Sequence, residues 1–215
     1  MSKMNLPNKL TMLRLCLVPV MTVFLLLPDS VIPWPIAYGV GLVLFALTSL
    51  TDMLDGKIAR ARNLITNFGK FMDPVADKFM VIGTMLALLF RMMNPALYGV
   101  TYTTVFQVVY FVAVLLIIFR ELAITSLRLV LVNANGQVVA ANMLGKIKTV
   151  SQITAICLLF IEPLVDYLIT HAAGDWLLAG DYPVSFLLIA VALVFTVWSG
   201  ANYIKGGWKF ISTDW

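Results

Sequence analysis

Charge is scarce in this 215-residue chain: Asp, Glu, Lys and Arg make up 12% of it, against roughly 25% in an ordinary soluble domain. A water-soluble globule is excluded, because 61% of the residues are apolar and too little polar surface remains to cover them. Glycine and proline are also few, at 13 and 9, which excludes a collagen-like or low-complexity chain. The two cysteines, Cys16 and Cys157, both sit in apolar runs. They read as buried small hydrophobes, not as a disulfide or metal pair. The one histidine, His171, lies near a predicted loop and reads as a surface residue.

What the chain has in plenty is long apolar runs. They lie near 8–27, 33–62, 72–93, 104–132, 138–168 and 184–205, separated by turn-rich pieces such as Pro28-Asp29 and Asn133-Ala134-Asn135-Gly136. At roughly 20 residues per span, the expectation is an all-α integral membrane protein: six transmembrane helices in a single domain, 1–215. The first run follows Lys3 and Lys9 as a signal peptide would, but Arg14 interrupts it and no small-residue cleavage site follows Leu27. It is expected to be a retained helix.

Orientation comes from the cations. With a cytoplasmic N-terminus and six alternating helices, every Lys and Arg except Arg91 falls on the cytoplasmic side. The segments 28–34 and 162–183 then face outward, with acids (Asp29, Glu162, Asp166, Asp175, Asp181) and no Lys or Arg. Both termini are expected in the cytoplasm, in a bacterial cell membrane. Trp34, Tyr98, Tyr102, Trp176 and Tyr182 near the outer ends, and Trp208 near the inner end, are placed as interfacial anchors would be.

Acids are the most informative residues because they are the most expensive ones here. Asp52, Asp55, Asp73 and Asp77 lie at or near helix ends that enter the membrane, where an unpaired carboxylate costs at least a few kcal/mol. At about 100° per residue, Asp52 and Asp55 share a face of one helix, and Asp73 and Asp77 share a face of the next. With the reversal near residue 65, a ~1.5 Å rise puts Asp55 level with Asp73 and Asp52 level with Asp77. Two carboxylate pairs at matched depth can close around metal. Oxygen ligands without His or Cys favour Mg²⁺ or Mn²⁺, and two such ions about 3.5–4 Å apart are the usual clamp for displacement at phosphorus. Gly56 and Ala59 leave the helix wall beside Asp52 nearly bare, and Arg60 extends from the next turn toward a phosphate. The plainer alternative is a solvated, salt-bridged loop edge, with Asp73 capping a helix that Pro74 opens. It gives no reason for two acids per helix on one face beside small residues.

Taken together, Asp52-x2-Asp55-Gly56-x2-Ala59-Arg60-x8-Gly69-x3-Asp73-x3-Asp77 resembles, at every fixed position, the signature of the CDP-alcohol phosphotransferases. The opening Pro7-Asn8-x-Leu10-Thr11-x2-Arg14 is similar to that family's N-terminal signature. The resemblance implies six helices around a polar cavity open to the cytoplasm, commonly in a homodimer. It implies transfer of a phosphatidyl or similar group from a CDP-linked donor to an alcohol, with release of CMP. In that reading Asp52, Asp55, Asp73 and Asp77 bind two ions, Mg²⁺ or Mn²⁺, and Asp77 also takes the proton of the attacking hydroxyl. Gly56, Ala59, Arg60 and Gly69 bind the CDP part, and Asn8 and Thr11 approach the nucleotide.

A second group of charges bears on the alcohol. Arg120, Arg128, Lys146 and Lys148 fall, by helical rise, at depths comparable to the acids, with only Glu121 nearby among uncommitted carboxylates. Cations at that depth need an anion, unless they snorkel to lipid phosphate. Arg120-Glu121-Leu122, Ser126-Leu127-Arg128 and Gly145-Lys-Ile-Lys-Thr149 with Gln152 are similar to the branch of the family whose acceptor is sn-glycerol 3-phosphate. Arg120, Arg128, Lys146 and Lys148 are therefore expected to bind the acceptor phosphate. The implied partners are CDP-diacylglycerol, glycerol 3-phosphate, membrane lipid and a second copy of the chain, and no nucleic acid. Inositol phosphate would satisfy the same cations. A divalent-cation transporter is the rival from another class, but it would need polar groups continuing to the outer face, and the outer halves of these runs offer mostly Leu, Val, Phe and Ala.

Overall fold

The computed structural model describes residues 5–61, 66–135, 143–173 and 180–211; the side chains of 55, 59–61, 67, 70, 129–135, 171–173 and 207–211 lie outside that description. Among the described residues every regular element is helical: α1 (Leu6–Leu25), α2 (Trp34–Ala61), α3 (Asn67–Met93), the short α4 (Pro95–Tyr98), α5 (Thr104–Asn135), α6 (Met143–Ala173) and α7 (Pro183–Ile211). Among the described residues five stretches are long and apolar enough to cross a membrane: Leu6–Leu25, Trp34–Ile58, Thr104–Arg128, Met143–Thr170 and Pro183–Gly206. The chain is thus a multi-pass membrane protein, with side chains such as Val105, Phe119 and Leu168 presenting an apolar exterior. The expected sixth span, 72–93, falls within α3. That helix begins earlier, at Asn67, because Thr66 caps it by accepting the Gly69 N–H at 3.0 Å. Pro74 sits inside it, and Asp73 is not its cap. Asp73, Asp77 and Lys78 toward one end of α3 and Arg91 near the other leave between them fewer uncharged residues than the roughly 20 of a full span.

α1 packs on α2 and α3, α6 on α7 and α2, and α5 on α7 and α3. Val18 and Met21 of α1, Phe45 of α2, Leu88 of α3, Ile117 of α5 and Phe160 of α6 fill the space between them. Cys16 faces outward from this core, contrary to the expectation that it is buried, while Cys157 is half-buried. An all-round apolar helix gives no pattern by which sequence could choose its inner face.

The end of the bundle where α1 stops and α2 begins is closed by aromatic and ionic packing. Trp34, Tyr98, Tyr102 and Tyr182 are 1–7% exposed, so they are interior packing groups and not the interfacial anchors their positions suggested. Tyr102 stacks edge-on with Tyr182 at 5.0 Å, and Trp34 with Tyr38 at 5.7 Å. Trp176 lies outside the described residues, as does the Trp208 side chain. Arg91, 1% exposed, donates to the Leu25 carbonyl at 2.5 Å and lies 4.6 Å and 5.1 Å from the ring centres of Tyr98 and Tyr38. Glu162 and Asp166, expected in an outer segment, lie buried in α6. Glu162 earns its place by accepting the Val184 and Ser185 N–H groups at 3.0 Å and 2.7 Å, capping α7 from a neighbouring helix.

Arg91→Met is expected to lower stability by about 2–4 kcal/mol, the loss of a charged hydrogen bond and two ring contacts. Thermal unfolding in detergent checks this; an unchanged midpoint would show that Arg91 ties nothing together.

Candidate active site

The other end of the bundle gathers the polar residues of the N-terminal signature onto the start of α3. Pro7 in the first turn of α1 fixes its entry, and Asn8 and Thr11 follow on one face. Asn8 Oδ1 accepts from the Thr66 hydroxyl at 2.9 Å, and the Thr66 oxygen in turn accepts the Gly69 N–H. Gly69 is buried; a Cβ there would lie 3.3 Å from both Asn8 Oδ1 and Thr66 Oγ1. The Thr11 hydroxyl lies 2.7 Å from Asp73 Oδ1 and 3.1 Å from the Pro7 carbonyl, and its one hydrogen serves either. Asn8, Thr66 and Gly69 thus form one hydrogen-bonded set and Thr11 and Asp73 another, side by side: a Cβ on Gly69 would lie 3.7 Å from Asp73 Oδ2.

One turn further along α1, the fully buried Arg14 reaches between two helices. Its Nη1 donates to Asp52 Oδ1 of α2 at 2.6 Å and to Asp77 Oδ1 of α3 at 2.8 Å. Asp52 and Asp77, expected at one depth, therefore meet on one cationic nitrogen. Their side chains are 37% and 47% exposed where that of Arg14 is 0%, so the carboxylates open into a space that the guanidinium backs. The sequence named Arg14 as a break in the first apolar run and as part of a signature, without a role. The signal was present: an arginine inside an apolar run needs an intramembrane partner.

Gly56 is half-buried in α2; the side chains of Asp55, Ala59 and Arg60 lie outside the described residues. The donor set suits hard divalent cations, since the side-chain atoms that Asp52, Asp73 and Asp77 offer are all carboxylate oxygens. Arg14 supplies the test: a single cationic atom touches Asp52 and Asp77 together. Among the described side chains no three acidic, His or Cys groups close into a complete metal cage.

Beyond α3 lies the basic group. Lys148 of α6 is 5% exposed and donates to Glu121 Oε1, so it does not snorkel. Arg120 Nη1 donates to the same Glu121 oxygen at 3.1 Å, and its Nη2 to Ser199 Oγ of α7 at 2.8 Å. Arg128 Nε donates to the Tyr203 hydroxyl at 3.1 Å, and Lys146 is exposed. Glu121 thus holds two of the four cations at one point. Lys78 follows Asp77 on α3, which packs against both α5 and α6, so the acidic and basic groups lie on adjoining helices. Ser199, Thr66 and Lys78 were not singled out from sequence; each is an ordinary polar residue until its partner is seen.

A family model described as CDP-alcohol phosphatidyltransferase matches residues 4–198. The chain belongs to this family. Among similar members, a CDP-diacylglycerol–glycerol-3-phosphate 3-phosphatidyltransferase of Bacillus subtilis (strain 168) is 39% identical, the match covering 98% of each chain. Proteins of the same description from Pseudomonas fluorescens and Rickettsia felis are 33% and 32% identical, covering 98% and 96% of this chain and 94% and 97% of their own. As a CDP-alcohol phosphatidyltransferase, the chain places its signature acids Asp52, Asp73 and Asp77 at one end of the bundle, within reach of α1.

Arg14→Gln removes the cation shared by two acids. A loss of about 1–3 kcal/mol is expected in EDTA, less than for a fully buried pair because both carboxylates are partly exposed. Added Mg²⁺ should recover more stability in the variant than in the parent chain. Thermal unfolding with and without the ion checks it, and equal losses in both conditions would separate Arg14 from the acids' charge.

Proposed function

We propose that this chain transfers the phosphatidyl group of CDP-diacylglycerol to a hydroxyl of sn-glycerol 3-phosphate, giving phosphatidylglycerophosphate and CMP. One observation carries the reading: α3, which sets Asp77 on Arg14, also packs against α5 and α6, whose Arg120 and Lys148 gather on Glu121. A phosphotransfer site beside an anion site fits an acceptor alcohol that bears its own phosphate. The names of the relatives from Bacillus subtilis, Rickettsia felis and Pseudomonas fluorescens, which match along nearly their whole length, support the same acceptor.

In this reading Asp52, Asp55, Asp73 and Asp77 hold two divalent ions, Mg²⁺ or Mn²⁺. Such ions, when bound, supply positive charge at the pyrophosphate and at the attacking oxygen. Asn8, Thr11, Gly56, Ala59, Arg60 and Gly69 seat the CDP part, with Gly69 keeping the approach open where a Cβ would crowd Asn8. Arg120, Arg128, Lys146 and Lys148 hold the acceptor phosphate and aim its hydroxyl. The hydroxyl oxygen attacks the β-phosphorus and its proton passes to Asp77. The bond from that phosphorus to the bridging oxygen breaks, and CMP leaves with the oxygen. Most of the rate comes from positioning and fixed charge, as in other phosphoryl transfers. The acyl chains stay in lipid.

The whole chain acts as one domain, in a bacterial cell membrane with both termini and the site on the cytoplasmic side. The Lys and Arg distribution supports that orientation. The family resemblance supports a homodimer. A cation-transport path is disfavoured by the layer of buried aromatic side chains around Arg91 at the far end.

The test is CMP release from CDP-diacylglycerol by the detergent-purified chain with Mg²⁺, offering glycerol 3-phosphate, inositol phosphate, serine or inositol, each with and without EDTA. EDTA-sensitive release with glycerol 3-phosphate alone is expected. Release with another alcohol would overturn the reading of the basic group, and no release with any acceptor would overturn the chemistry.

A further inference from the structure

The proposed reaction leaves α7 without a part in it, yet α7 touches both arginines of the basic group. Arg120 Nη2 donates to Ser199 Oγ at 2.8 Å, and Arg128 Nε donates to the Tyr203 hydroxyl at 3.1 Å. Arg128 also lies 5.3 Å from the centre of the Tyr203 ring. Between these two anchors, Gly200 lies against Arg120: a Cβ there would be 3.3 Å from Arg120 Cγ. The side chain of Arg120 is therefore seated on bare α7 backbone and held by a hydroxyl one residue away.

The spacing of these contacts has a consequence. Arg120 and Arg128 are about 12 Å apart along α5, by helical rise, while Ser199 and Tyr203 are about 6 Å apart along α7. Two arginines two turns apart are tied to anchors one turn apart. Their guanidinium groups are drawn together, against their mutual repulsion. Glu121 completes the arrangement by holding Arg120 and Lys148 at one oxygen. Arg120 Nε remains buried without a hydrogen-bond partner among the described residues, a desolvated donor that a phosphate oxygen would satisfy.

We infer that Ser199, Gly200 and Tyr203 of α7 are positioning residues that converge Arg120 and Arg128 into a two-guanidinium clamp for the acceptor's phosphate. This rests on the basic group being the acceptor site. The convergence sets specificity: a phosphate-bearing alcohol is held by both arginines, and a neutral alcohol by neither.

The experiment measures steady-state kinetics of the purified full-length chain, and in parallel the thermal stabilisation that glycerol 3-phosphate and inorganic phosphate confer. Ser199→Ala and Gly200→Ala are each expected to raise KM for glycerol 3-phosphate by about 5–20-fold, the size of losing or displacing a hydrogen bond to a charged group. The kcat and the KM for CDP-diacylglycerol should move less than about twofold. Tyr203→Phe keeps the ring under Arg128 and should cost about 2–3-fold, whereas Tyr203→Leu loses ring and hydroxyl and should cost about 10-fold. An unchanged acceptor KM, or a fall in kcat with both KM values raised together, would overturn the clamp. If the parent chain uses a different phosphorylated alcohol, that alcohol's KM takes the place of glycerol 3-phosphate. If it shows no turnover but is stabilised by phosphate, and the variants lose that stabilisation, the clamp stands and the proposed reaction falls. Stabilisation by neither ligand, with no turnover, would overturn both.

Discussion

Arg14 is the constraint on which the rest of this structure depends. A guanidinium buried within an apolar helix has no water to turn to, so its position is set by the anions it can reach. Here it reaches Asp52 on α2 and Asp77 on α3, and those contacts tie together the three helices that carry both signatures. The same contact that stabilises the bundle holds two acids a single cation apart. Stability and chemistry therefore share one interaction. It also explains why the carboxylates can remain partly open: the charge is balanced from the buried side, which leaves their other faces to a ligand.

The two ends of the bundle handle polarity differently. At the far end, Arg91, Glu162 and the tyrosines are consumed by the fold, satisfying helix termini and each other. At the signature end, cations and anions stand on adjoining helices, Asp52 and Asp77 on Arg14 and, across from α3, Arg120 and Lys148 on Glu121. Neighbours of opposite sign keep each charge tolerable in an apolar surround, and an incoming phosphate or cation shifts a balance that already exists. Such a site is pre-organised without being neutral-locked, which is what charge-based phosphoryl transfer asks of a protein.

Much of this was legible in the sequence. Apolar run length located five of the six expected spans, because a bilayer leaves few alternatives to a helix of that length; the run at 72–93 is helical but interrupted by charge. The acid spacing predicted matched depths for Asp52 and Asp77, because helical rise and one reversal determine them. Which face each residue takes was not legible. Cys16 turned out, Trp34 and Tyr98 turned in, and Glu162 lay inside a helix, because apolar helices carry little pattern to separate a lipid face from a packed one. Partner choice was hidden for the same reason. Arg14 announced a need for an anion without naming it, and Ser199 and Tyr203 look like incidental polar residues until α7 is laid beside α5.

In the proposed reaction Asp52 and Asp77, though tied to one guanidinium, divide the work, Asp52 holding the ions that seat the donor and Asp77 taking the proton. Binding of CDP-diacylglycerol to Asp52→Asn and Asp77→Asn, measured beside their CMP release, tests it most directly. Asp77→Asn should abolish turnover while largely keeping donor binding, and Asp52→Asn should weaken donor binding and its metal dependence together. Equal loss of donor binding in the two variants would contradict the division.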